Sequence, residues 1–211
     1  MGHEYILNPR ICNKIQEFVS GIATPITACF HGAVKQWSAT EAVAADADGV
    51  HGEITLGASA QTITDDITNP PCARNITITC TKASEGSTMS GDVVITGTNI
   101  FGEVITDTIA EGVDGLHEGT KAFKTVTSIL VPAQTNAGDK LKIGFGDKLG
   151  LPFYLNYADQ VIQCSLNNVI EATRATVVAD VDEIEKNTID LNSALNGSVV
   201  RAYIMVYEEY E

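Results

Sequence analysis

From Gly52 to Phe145 apolar and polar positions alternate with a period of two, in short runs broken by Gly, Asn, Asp or Pro. The runs are Glu53–Leu56, Thr62–Ile67, Asn75–Thr81, Asp92–Thr98, Glu103–Ala110, Ala122–Val131 and Lys140–Phe145. They are rich in Val, Ile and Thr, whose branched side chains suit a pleated, half-buried surface. Asn99-Ile-Phe-Gly102 between two runs predicts a hairpin connection with Gly102 at positive φ. The intervals are too short for crossover helices, which excludes a parallel α/β sheet. Short strands at this spacing predict a mostly β fold, an immunoglobulin-like or related β-sandwich.

The ends of the chain read differently. Asn8 is a good N-cap, Pro9 suits the first helical position and Gly21 a C-terminal stop. Between them Ile11, Ile15, Phe18 and Val19 fall at i, i+4, i+7 and i+8, which predicts a short amphipathic helix from Pro9 to about Ser20. Its apolar stripe must bury against the chain's own domain or a neighbouring subunit. Ile26, Ala28 and Phe30 alternate with polar neighbours as in a strand. Trp37, the only tryptophan, is expected to be a core or interface anchor. Ala42–Gly49 reads as a linker. Residues 1–50 are thus expected to form a helix and extended arm, and 51–211 the β-sandwich domain. Beyond Gln160, further strands are expected at Gln160–Cys164, Val169–Val178, Thr188–Leu191 and Val199–Tyr207. Asp182–Leu195 reads as loop and strand, because its Asn, Thr and Asp residues disfavour helix. Asn196-Gly197 reads as a turn.

Composition narrows the function classes. Of 211 residues 44% are hydrophobic and only 19% charged, which is globular rather than disordered. Thirteen basic residues against 27 acidic ones leave a net charge of −14, and the basic residues are scattered singly. That opposes binding to a nucleic-acid backbone or an anionic membrane. The N-terminus lacks the apolar core of a signal peptide, and the apolar stretch Phe18–Val34 is interrupted by Pro25 and His31, a poor membrane span. The expectation is cytoplasmic synthesis. The five cysteines, Cys12, Cys29, Cys72, Cys80 and Cys164, contain no CxxC pair and read as free thiols of a reducing compartment.

Candidate chemistry is sparse. Gly144-Phe-Gly-Asp-Lys-Leu-Gly150 lacks both GxGxxG spacing and a GK[ST] ending, and Pro152 follows at once; it reads as a strand end and loop. His3, His31, His51 and His117 form no HxxxH pair. Asp46-Ala-Asp48-Gly49 resembles the start of a calcium loop but lacks the closing Glu. Asp180–Glu185 carries four carboxylates in six residues and reads as a solvated acidic loop, with a calcium site as the minor alternative. No GxSxG or HExxH motif occurs. These observations predict no catalytic residue, no cofactor and no metal. A carboxylate pair needs no sequence motif, so a hydrolase stays the minor alternative.

Several phrases carry a resemblance. They are Gly91-Asp-Val-Val-Ile-Thr-Gly-Thr-Asn99, Gly102-Glu-Val-Ile-Thr-Asp-Thr-Ile109 and Lys121-Ala-Phe-Lys-Thr-Val-Thr-Ser-Ile129, then Ala137-Gly-Asp-Lys-Leu141, Ile143-Gly-Phe-Gly-Asp-Lys-Leu-Gly-Leu-Pro152 and Asn187-Thr-Ile-Asp-Leu-Asn-Ser-Ala-Leu-Asn-Gly197. In them the stretch Asp48–Val206 resembles small β-rich structural proteins of tailed bacteriophages. The resemblance implies a virion component, foremost a capsid decoration or cement protein packing on the major capsid protein. Other implied places are the tail, neck or fibre base, or a β-sandwich module binding a host surface receptor. It implies other virion proteins as partners and residence in the virion; the low charge fraction and the terminal apolar helix predict a homo-oligomer. The interface residues expected on this reading are Ile11, Ile15, Phe18, Val19 and Trp37.

Overall fold

The computed structural model describes residues 28–135 and 138–209. The expected helix, with Ile11, Ile15, Phe18 and Val19, lies outside the described residues. The strands are β1 (Ala28–Trp37), β2 (Asp46–Thr55), β3 (Gln61–Ile63), β4 (Arg74–Thr81), β5 (Asp92–Thr98), β6 (Val104–Ala110) and β7 (Gly115–Phe123). They continue with β8 (Thr125–Val131), β9 (Lys140–Gly150), β10 (Val161–Leu166), β11 (Val169–Ile170), β12 (Thr176–Val178), β13 (Thr188–Asp190) and β14 (Val200–Glu209). All pairings are antiparallel. The chain is mostly β and of sandwich-like class.

Among the described residues three sheets enclose two cores. The central sheet has the order β12-β13-β9-β4-β7, with β2 also on β9; the second is β3-β8-β5-β6 and the third β1-β14-β10-β11. The first core lies between the central and second sheets. Ile76 and Ile78 of β4 and Leu141, Ile143 and Phe145 of β9 face Val93 and Ile95 of β5 and Ile129 of β8. The second core gathers Trp37, Val200, Ala202, Ile204, Val161 and Cys164 of the third sheet against Leu149, Leu151, Ile189 and Leu191. Strand β9 therefore runs through both. Its alternate residues close the first core, and its last turn of the pleat closes the second.

Several local expectations change. β2 begins at Asp46, so Ala42–Gly49 is not wholly linker, and a boundary at residue 50 falls inside a strand. β1 pairs with β14 along its whole length, so Ala28–Trp37 is part of a sheet rather than an arm. Gly144–Gly150 is strand, not loop. Ala122–Val131 spans two strands that meet at Lys124, and Val169–Val178 divides into β11 and β12. Asp182–Leu195 contains a short 3-10 turn, Ile184–Lys186, before β13. Gly102 does take positive φ, +85°, and Gly197 of the Asn-Gly turn +77°.

Side chains replace main-chain partners where the sheets end. The Asn99 carboxamide oxygen accepts the amides of Phe101 (3.0 Å) and Glu103 (3.1 Å) and so holds the β5–β6 hairpin. Asp107 on β6 accepts the amides of Thr120 (2.7 Å) and Lys121 (3.0 Å) on β7, tying the second sheet to the central one across an open edge. Asn187, fully buried, accepts from Leu155 (3.0 Å) and Asp180 (2.9 Å) and donates to the carbonyls of Asp180 (2.8 Å) and Glu183 (3.0 Å). Every polar atom of that side chain is satisfied, as burial demands.

Candidate functional site

Three regions could carry function. The first is a shallow depression of about 270 Å³ on the side of β4 opposite Ile76 and Ile78, where Thr77, Leu116, Phe145 and Gly146 meet Glu118, Asp147 and Asp190. Two of its carboxylates are compensated: Glu118 by Lys148 (2.5 Å) and Asp147 by Arg74 (3.2 Å). Burial pushes the Asp190 carboxyl above its ordinary range, and the negative charges of Asp147 and Glu118 add to the shift. No histidine, thiol or hydroxyl nucleophile with a base beside it lines the depression; Thr77 is its only hydroxyl. It can accept positive charge, and it holds no assembled acyl- or phosphoryl-transfer machinery.

The second region is buried. Glu111 lies beneath the β5–β6 end, only 8% exposed, and accepts a hydrogen bond from the Gln134 amide, while its second oxygen has no partner. Beside it Asp139, fully buried, accepts from the Ala83 amide (2.8 Å) and the Ser87 hydroxyl (2.6 Å). Burial pushes Glu111 up to about 7, with Asp139 and Asp92 adding to the rise against the bond from Gln134. The folded chain then keeps a proton that the unfolded chain releases near pH 4.5. This group favours the fold below that pH, and the contribution is lost as pH rises through about 7. Glu111→Gln is expected to match the parent at pH 4 and to exceed it by about 2–3 kcal/mol at pH 8. Urea unfolding of both chains at the two pH values measures this; an equal difference at both would contradict it.

The third region is the outer face of the third sheet. Register places Val34, Tyr203 and Gln163 side by side, on the face opposite Trp37, Val200, Ala202 and Ile204. Val34 is 56% exposed, and Met205 lies one pleat further along the same face of β14. A register shift between Val161 and Gln163 turns Ile162 outward, 54% exposed. At the other end of this face Arg201 reaches across to Gln36 (2.8 Å) and Asn168. The face thus has a polar end and an apolar end. The apolar end adjoins a two-stranded ribbon, Ala28–Gly32 with Met205–Glu209, that continues past the last pairing with β10.

The residues singled out from the sequence fall elsewhere. Trp37 is 1% exposed in the second core, with the Lys35 ammonium 5.3 Å from its ring centre. As an interface residue it is corrected: its side chain is consumed by the protein's own core. Cys72, Cys80 and Cys164 are free and buried, and burial pushes each thiol up to about 11, which leaves them protonated and unreactive. Asp180–Glu185 is a braced loop. Asp180 accepts the amides of Asp182 (2.9 Å) and Glu183 (2.8 Å), which holds its carboxyl below the usual range, and Lys121 meets Glu183 (2.8 Å) and Glu185 (3.1 Å). Asp48 faces Lys142 at 3.4 Å. His51 and His117 bond to main-chain carbonyls of Gly52 and Val113, not to carboxylates. Among the described residues no group of three or more His, Cys, Asp and Glu side chains is placed to hold a metal ion.

The depression and the exposed sheet face escape the sequence. Both gather residues from strands far apart in the chain, and nothing local marks Val34 or Ile162 as exposed. No family model matches this chain, and neither a curated protein nor a solved structure is significantly similar to it.

Proposed function

We propose that this chain is a virion structural protein, foremost a capsid decoration or cement protein that packs on the major capsid protein lattice, built on an immunoglobulin-like or related sandwich. The observation that carries the reading is the apolar end of the third sheet's outer face, where Val34 and Ile162 stand more than half exposed. Contiguous apolar surface on a folded chain favours cover by another protein. The phrases shared in style with phage structural proteins supply the class of partner. A lattice protein works through buried area and shape, and many identical copies multiply a weak contact. The net charge of −14 agrees with a role on the outside of a particle, away from packaged nucleic acid.

The test is stoichiometry. Intact particles are purified and this chain is quantified against the major shell protein by mass spectrometry. A ratio near one per shell subunit, or a simple fraction set by icosahedral symmetry, is the expected result. A handful of copies per particle moves the chain to the tail, neck or fibre base. Absence from the particle overturns the reading and leaves a receptor-binding module as its successor.

A further inference from the structure

We infer that the apolar end of the third sheet's outer face is the docking site for the segment Pro9–Ser20 of a second copy of this chain. The face offers Val34, Tyr203 and Ile162, with Met205 where the ribbon begins. The segment offers a stripe of matching size and character, Ile11, Ile15, Phe18 and Val19, at helical spacing. A 12-residue helix is about 18 Å long. At this end three strands, β1, β14 and β10, at about 4.8 Å spacing are some 10 Å across, so one such helix spans the sheet.

The path of the chain selects the second copy over the first. Segment and strand are joined by residues 21–27, and β1 begins at Ala28. That start is at the far tip of the ribbon. The last β10 pairing on β14 is Val161 with Ile204, which stands opposite Ala33. Five residues of ribbon, at about 3.3 Å each, therefore carry the segment roughly 17 Å beyond its own apolar face. Seven linking residues reach about 25 Å at full extension. To return to its own sheet the link must reverse at once and spend most of that reach retracing the ribbon. To continue forward onto a neighbour it needs neither. A reciprocal exchange buries both stripes and both faces in a closed, two-fold arrangement. Leaving β1 as the sheet's edge strand gives the neighbour room beside it.

The inference shares its apolar face with the virion reading and names a second copy of this chain, a neighbour on the lattice, as what covers it; its test is made on the purified chain in solution, apart from particle copy number. Sedimentation velocity of the full chain over a hundredfold concentration range is the experiment. The parent is expected to self-associate reversibly. Phe18→Asp in the segment and Ile162→Asp on the face are each expected to weaken association at least tenfold, and the double variant no more than the stronger single one, because both break one contact. Ile162 lies outside both cores, and for each variant a native circular dichroism spectrum with an unchanged urea midpoint checks that the fold is kept. A parent that stays monomeric at every concentration overturns the inference, since a segment folded onto its own sheet has that behaviour. So does an oligomer that neither substitution weakens. Copy number in particles moves independently of all these outcomes.

Discussion

Arg74→Met is expected to destabilise the fold by about 2–5 kcal/mol. Arg74 is completely buried where the two cores meet. Its Nε donates to the Gly146 carbonyl (2.7 Å), one terminal nitrogen to the Val43 carbonyl (2.8 Å) and the other to Asp147 (3.2 Å), while the guanidinium stacks 4.7 Å from the centre of the Phe145 ring. Methionine keeps most of the volume and loses every donor. The Gly146 carbonyl is then buried without its donor and the part-buried Val43 carbonyl loses its own, at a cost of about 1–3 kcal/mol each with the second at the low end. The ion pair matters less. Asp147 is 38% exposed and regains water when the arginine is gone. Asp147→Asn is therefore expected to cost less than about 1 kcal/mol. Urea denaturation of the two variants separates the readings: equal losses would show that the salt bridge, not the carbonyl clamp, is what holds.

Gly144→Ala is expected to cost at least about 3 kcal/mol, enough to put soluble yield at risk. A methyl group at residue 144 would stand 2.0 Å from the Asp46 carbonyl oxygen and 2.6–2.7 Å from the Ala47 carbonyl carbon and Cα. All three are main-chain atoms, so no rotamer change relieves the overlap. β2 must lift off β9, and with it the pairing of Asp46 opposite Phe145. Gly146 is a graded comparison, because there the methyl meets the buried Asn75 side chain at 2.6 Å rather than main chain. Gly52, with nothing within 4 Å, is the control and is expected to tolerate alanine within about 0.5 kcal/mol. Equal midpoints for the Gly144 and Gly52 variants would mean that β2 does not cross β9 so closely.

The period-two runs revealed most of the first core, because there one face of each strand meets apolar side chains and the other meets water. The misses share a physical cause. Gly144, Gly146 and Gly150 punctuate the sequence as a loop would. In the fold they admit a crossing chain, an asparagine side chain and the methyls of Ala73 and Ala122, a close approach invisible without the partner. β7 went unseen because its pairing with β4 shifts register between Asn75 and Thr77, which breaks the alternation along Gly115–Phe123. Arg74 gave no sign of its role, since a single arginine beside apolar residues is ordinarily a surface group. Trp37 was legible as an anchor but not as to which side of the surface it serves. The apolar sheet face is legible only through register: Val34 and Ile162 are 128 positions apart and become neighbours through β14.

The pairing of β1 with β14 also sets a timetable for the nascent chain. Trp37 leaves the ribosome early, yet its partner strand starts at Val200. At about 5–20 residues per second the intervening stretch takes on the order of 10–30 s to synthesise. Throughout that interval β1 is an unpaired strand of a half-made protein, while β2 through β9 already contain everything the first core needs. The first sandwich can close on its own schedule; the second waits for the last strand, and any chaperone or neighbouring nascent copy that meets this chain during its synthesis meets β1 open.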